Sequence, residues 1–175
     1  MTVLTVGHST RPIAEFLELL CAHGVQLLAD IRTVPRSRRN PQFNSDALPA
    51  ALAPVEIEYL HLPGLGGLRQ PRTDSPNAGW KNDSFRGYAD HMQTPEFADS
   101  LCQLMQVAAG QRVAIMCAES LPWRCHRSLV ADALAARGVE VEHIMTATKR
   151  QPHKVTPFAR TEGERVTYPG LFTSN

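Results

Sequence analysis

Residues 117–127 gather two thiols, a carboxylate, an imidazole and two guanidiniums: Cys117, Glu119, Arg124, Cys125, His126 and Arg127. A loop that only connects two elements is usually built from Gly, Asn, Asp and Ser. This loop carries groups that attack, move protons and hold anions. A thiol beside arginines and helix amides has a lowered pKa and reacts as the thiolate, so Cys117 is the candidate nucleophile. His126 or His8 is the candidate base or proton carrier. Glu119 is either a general acid-base group or the partner of an arginine.

A second group of candidates would hold the substrate. Arg32, Arg36, Arg38 and Arg39 crowd into the loop 32–44. Arginine grips phosphate and carboxylate with a planar fork. With Asp30, His61, Trp80, Arg86, Tyr88, Trp123, Arg124 and Arg127 they make a candidate binding set for a small anionic or phosphorylated ligand. No cofactor is expected.

Three other readings stay open. A free Cys is often a small buried apolar residue, and Cys125 begins a helix and can face the core. Cys117, Cys125 and His126 are also metal-ligand types, although the two thiols lack the tight spacing of structural zinc pairs. Finally, arginines interleaved with Phe43, Trp80, Phe85, Tyr88 and Trp123 suit phosphate contact and base stacking, making the 32–44 loop a nucleic-acid candidate. The net charge of +1 is low for that role.

The elements that position these residues follow from periodicity. Val113 to Met116 is an apolar run bounded by Gln111-Arg112 and reads as a buried strand. Leu129, Val130, Ala133, Leu134 and Ala136 fall on one helix face. The reactive loop therefore joins a strand's C-terminal end to a helix N-terminus, where amides and macrodipole favour an anion. Strands are also predicted at Val3–Val6, Val25–Ile31, Ile57–Leu62 and Val139–Met145. Helices are predicted after Pro12 with Ser9 or Thr10 near the cap, from Ala47 with Ser45-Asp46 as cap, around Phe85–Met92, and from Pro95 with Thr94 as cap. The long stretch from Pro63 to Ser84 has no period, and a connection of that length in a compact domain is usually functional or disordered.

Such alternation specifies an α/β fold: a mostly parallel five-stranded sheet with helices on both faces, a three-layer sandwich of rhodanese/phosphatase-like or flavodoxin-like kind. In such sheets the ligand crevice lies outside the strands' C-terminal ends. His8, Asp30, Arg32, His61, Cys117 and Glu119 all fall there. The likeness to cysteine phosphatases and rhodaneses is architectural only. Six residues separate Cys117 from Arg124, and the loop has Pro122 and no glycine.

The 175 residues suit one domain over 1–145 with an extended C-terminal tail over 146–175, packed on the domain or flanking it. Prolines at 152, 157 and 169 leave that tail without a period. No apolar run approaches a membrane span, and the start MTVLTVGHST lacks signal-peptide character. The expected location is cytoplasmic, so the four Cys are expected to be thiols.

Several longer motifs carry a resemblance. GHST at 7–10, DIRxxPRSRRNPQFN at 30–44, YLHLPGLGG at 59–67, FRGYADHMQTPEF at 85–97 and CAESLPWRCHRSLVADAL at 117–134 resemble the bacterial and archaeal family known as domain of unknown function 488. The resemblance runs from about 3 to 145 and leaves the tail uncovered. It implies no assigned activity. It does imply that the polar strand-end residues belong to a shared family pattern.

Overall fold

In the computed structural model, which describes residues 1–170, strands and helices alternate as the periodicity requires. The strands are β1 (Thr2–Gly7), β2 (Leu27–Asp30), β3 (Glu58–His61), β4 (Val113–Cys117) and β5 (Glu140–Thr146). The helices are α1 (Ile13–Ala22), α2 (Leu48–Leu52), α3 (Asp83–His91), α4 (Pro95–Gly110) and α5 (Arg127–Ala136). These five strands pair in parallel in the order β3-β2-β4-β1-β5. The central strands β2 and β4 are buried at every position because both faces are covered, whereas the outer strands β3 (EYLH) and β5 (EVEHIMT) carry more polar residues.

Alternate strand residues serve opposite layers. Val3, Ala29, Ile115 and Cys117 pack with α3, α4 and α5 through Tyr88, Leu101, Leu104, Leu129 and Leu134. Leu4, Val6, Leu28, Ala114 and Met116 pack with α1 and α2 through Phe16, Leu20, Leu48 and Leu52. The result is the expected three-layer α/β sandwich.

The sheet is larger than the expected five strands. β6 (Lys149–Pro152) adds an antiparallel edge to β5, and β7 (Arg160–Glu162) with β8 (Arg165–Thr167) forms a separate hairpin. These strands are short, polar and mostly exposed, so no apolar alternation announces them. Tertiary bonds hold the segment instead. Asp132 accepts from His153 Nε2 at 2.7 Å, Thr156 N at 3.1 Å, Thr156 Oγ1 at 2.7 Å and Tyr168 Oη at 2.7 Å. Residues 171–175 of the expected tail lie outside the described residues.

Helix starts show where local chemistry was legible. Thr94 caps α4, its hydroxyl accepting from Phe97 N at 3.3 Å. Asn82, not singled out from the sequence, caps α3 by accepting from Ser84 N and Phe85 N. α1 and α2 have no side-chain cap. Ser9, expected near a cap, instead takes a left-handed conformation with φ of 52° at the end of β1. Among the described residues no helix is long and apolar enough to cross a membrane.

Candidate functional site

The register sets the end of each strand beside its neighbour: Gly7 faces Cys117, Met116 faces Asp30, and Asp30 faces His61. The β1–β4 ladder continues past the strands, with His8 N donating to Cys117 O and Ser9 N to Ala118 O, both at 2.9 Å. The loop after β4 thus folds down over the end of β1. Gly7 allows this, because any Cβ there would overlap the Glu119 carbonyl.

A cleft of about 680 Å³ opens at this edge. Its lining includes His8, Arg32, Arg36, Tyr88, Cys117, Glu119, Arg124, Cys125 and His126 from the sequence-predicted set. Ser9, Thr10, Thr33, Ser37, Asn40, Gly67 and Phe85 also line it. Most of these flank predicted residues in the segments 7–10 and 30–44, which was the available signal. Phe85 carried the clearest signal of its own as an aromatic among arginines.

Both cleft thiols are buried. Their surroundings differ. Cys117 ends β4, and its Sγ–H points at the Glu119 carbonyl at 3.8 Å. Burial pushes the Cys117 thiol up, reinforced by the neighbouring Cys125. Cys125 sits just before α5, and its Sγ accepts from the backbone N–H of Arg127 at 3.4 Å. Burial opposes ionisation of Cys125 too. The neighbouring Cys117 and His126 and the Arg127 charge outweigh it, leaving that thiol well below its ordinary range.

His126 is oriented for this partnership. Its Nε2 lies 3.0 Å from the Ile31 carbonyl, which can only accept, so Nε2 carries the proton. Its Nδ1 then faces Cys125 Sγ at 3.5 Å. A nucleophile beside a base that a third group orients is the geometry of an activated thiol. The ring of Tyr88 packs 5.0 Å from His126.

Arg127 is 1% exposed. Its Nη2 donates to the carbonyls of Glu119 at 2.8 Å and Ser120 at 3.3 Å, and its Nε has no partner. Among the described residues it pairs with no carboxylate. It is therefore a brace beneath the loop and a buried positive charge, rather than the substrate contact expected from the sequence.

Arg32 is also more committed than the sequence suggested. It grips Asp30 through Nε at 2.9 Å and Nη2 at 2.7 Å, and Nη2 also donates to the Phe43 carbonyl at 2.6 Å. Asp30 is fully buried and also accepts from Tyr59 Oη at 2.6 Å. It lies behind the cleft and not in its lining. Only Nη1 of Arg32 turns toward the cleft, 3.4 Å from His8 Nε2. His8 donates from Nδ1 to the Ser9 carbonyl at 2.8 Å and stacks on Phe43. Burial brings its pKa down to about 4, with the Arg32 charge adding and the Ser9 bond opposing. His8 therefore presents a neutral ring with its lone pair on Nε2.

The remaining predicted residues do not converge. His61 bonds the Arg32 carbonyl through Nε2 at 2.7 Å. Arg86 pairs with Asp83 at 2.6 Å. Trp80 stacks on Phe85 behind the cleft wall, and with the exposed Trp123 it lines a different cavity. Arg38 and Arg39 are exposed and outside the lining. Arg36 and Arg124 remain on the rim, and neither pairs with a carboxylate among the described residues. Cys117, Cys125 and His126 come together, yet among the described residues no group of three or more His, Cys, Asp or Glu is placed to hold a metal ion.

Residues 12–134 match the family described as "Domain of unknown function DUF488". The chain belongs to the DUF488 family. No curated protein and no solved structure matches it. The DUF488 match takes in both cleft thiols, His126, Arg127, and the Asp30–Arg32 pair. His8 precedes it, and the segment clasped by Asp132 follows it.

Proposed function

We propose that this DUF488 protein is a cysteine-dependent hydrolase or group transferase, with Cys125 as nucleophile and a phosphorylated or otherwise anionic substrate. One observation carries the reading. Arg127 is a fully buried cation with no carboxylate partner among the described residues, and its own backbone N–H holds Cys125 Sγ. An uncompensated buried charge costs several kcal/mol (about 3–5 when a partner is removed). A Cys125 thiolate supplies the missing anion.

Cys117, the first choice from sequence, fits the nucleophile's role less well. Burial pushes its thiol up, and its S–H points at the Glu119 carbonyl. The unpaired Arg36 and Arg124 on the rim favour an anionic group. In the reaction, Cys125 Sγ bonds to the electrophilic centre as the bond to the leaving oxygen breaks. Water or an acceptor hydroxyl then releases the covalent intermediate and restores the thiolate. His126 Nδ1, 3.5 Å from Cys125 Sγ, is placed to take up the thiol's proton.

The test pairs chemistry with reactivity. p-Nitrophenyl phosphate and inorganic phosphate serve as probes with the full chain. Product release or phosphate binding that survives in Cys117→Ser and is lost in Cys125→Ser supports the reading. Alkylation of Cys125 with the pH dependence of an ordinary thiol, together with no loss of either property in Cys125→Ser, overturns it.

A further inference from the structure

We propose that Cys125 is also a site of oxidation by peroxides, and that Cys117 is its resolving thiol, the two closing a disulfide that shuts the cleft's nucleophile off. This rests on the reading of Cys125 as the reactive sulfur. It adds a second partner, a hydroperoxide, and a second outcome for the same residue.

Three features point there. The two thiols share one set of neighbours: the Glu119 carbonyl lies 3.8 Å from Cys117 Sγ and takes Arg127 Nη2 at 2.8 Å, while Arg127 N lies 3.4 Å from Cys125 Sγ. Both cysteines line the same cleft, whose volume of about 680 Å³ admits a molecule as small as hydrogen peroxide. Each thiol sits at the edge of its element: Cys117 is the last residue of β4, and Cys125 precedes α5. Closing the bond therefore asks movement of the loop 118–124, not of the interior of β4 or α5. A purely nucleophilic site needs only one thiol. The second is placed where a sulfenic acid on the first would form.

The steps balance. The Cys125 thiolate attacks one peroxide oxygen, the O–O bond breaks, and hydroxide leaves and takes up a proton to become water. Cys125 is now a sulfenic acid. The Cys117 sulfur attacks the Cys125 sulfur, the S–O bond breaks, and the hydroxyl departs as water with the Cys117 proton. The dithiol loses two electrons, and the peroxide gains them. Cys21 and Cys102 are exposed on α1 and α4 and have no part in this.

The experiment uses the full-length, fully reduced protein and stoichiometric hydrogen peroxide, followed by alkylation and tryptic mapping without reductant. Trypsin cuts after Arg112, Arg124 and Arg127, so the predicted bridge joins peptides 113–124 and 125–127. The expected result is that linked pair, with the mass of two hydrogens lost, complete protection of Cys125 from alkylation, and full recovery with dithiothreitol. In Cys117→Ser the expected product is a Cys125 sulfenic acid, trapped by dimedone, that proceeds to sulfinic acid. If the wild type instead accumulates sulfinic acid at Cys125 while Cys117 still alkylates, the resolving role is overturned. The nucleophile survives that result, because reduced Cys125 still alkylates as a thiolate. If reduced Cys125 fails to alkylate, both readings fall together.

Discussion

Replacing Arg127 with methionine removes one buried positive charge and keeps much of the side chain's length. It also keeps the backbone N–H that donates to Cys125 Sγ at 3.4 Å. What is lost is the guanidinium, which helps hold the Cys125 thiol low, and its bonds to the Glu119 and Ser120 carbonyls. An opposite charge close to a titrating group is worth about 1–3 pKa units, at about 1.36 kcal/mol per unit. Arg127 is the least of the groups that lower Cys125, so the Cys125 pKa should rise by the lower end of that range. At pH values below both pKa values, alkylation should slow by about 10-fold, tenfold per unit. The assay is the iodoacetamide rate at Cys125 against pH, in a Cys21→Ser, Cys102→Ser background, with circular dichroism as a check on folding. Stability offers a second readout with a definite sign. The folded pKa of Cys125 lies below its unfolded value, so thiolate stabilisation is fully present above about pH 8.5. It is lost as the pH falls through the folded value. The destabilisation by Arg127→Met should therefore be larger at high pH than at low pH. A folded Arg127→Met protein with an unchanged alkylation profile would refute the counter-ion argument.

Other expectations follow from the same packing. His8 and His143 are both depressed from 6.5 to about 4, mainly by burial. Their stabilisation is complete above pH 6.5 and lost as the pH falls through about 4. Urea midpoints should drop across that window with a slope of up to about 1.4 kcal/mol per pH unit for each histidine, and a folded His8→Asn variant should show a shallower fall. Gly7→Ala should cost about 1–3 kcal/mol or more, because its methyl meets the Glu119 backbone; Gly110, with nothing within 4 Å, should accept alanine with a gain of about 0.5–1 kcal/mol. Equilibrium unfolding of the two variants makes the comparison. Asp132→Ala should cost about 3–5 kcal/mol by stranding His153, Thr156 and Tyr168, and hydrogen exchange should speed up across 153–168 before the sheet is affected.

The sequence by itself determined the layers. Runs such as Val113–Met116 and Leu27–Ala29 are apolar at every position because helices cover both sheet faces. Thr94-Pro95 announces a helix start through chemistry contained within one turn. The same reasoning located the cleft, since parallel strands deliver their C-terminal residues to one edge whatever the loops do. It brought His8, Arg32, Arg36, Cys117, Glu119, Arg124 and His126 to that edge from three separate segments. The tertiary structure alone decided what those residues do there. Arg32 looks like a free anion-binding fork until Asp30 and the Phe43 carbonyl are found occupying it. Cys117 and Cys125 are the same residue type in sequence, and their ionisation parts because Arg127 N–H and His126 Nδ1 meet the Cys125 sulfur while Cys117 S–H points at a carbonyl. Desolvation and Coulomb energy depend on distances across the folded chain, which periodicity does not encode. The polar strands β6, β7 and β8 escaped for the same reason: tertiary bonds hold them, including those to Asp132, and that residue's own sequence neighbourhood is an ordinary amphipathic helix.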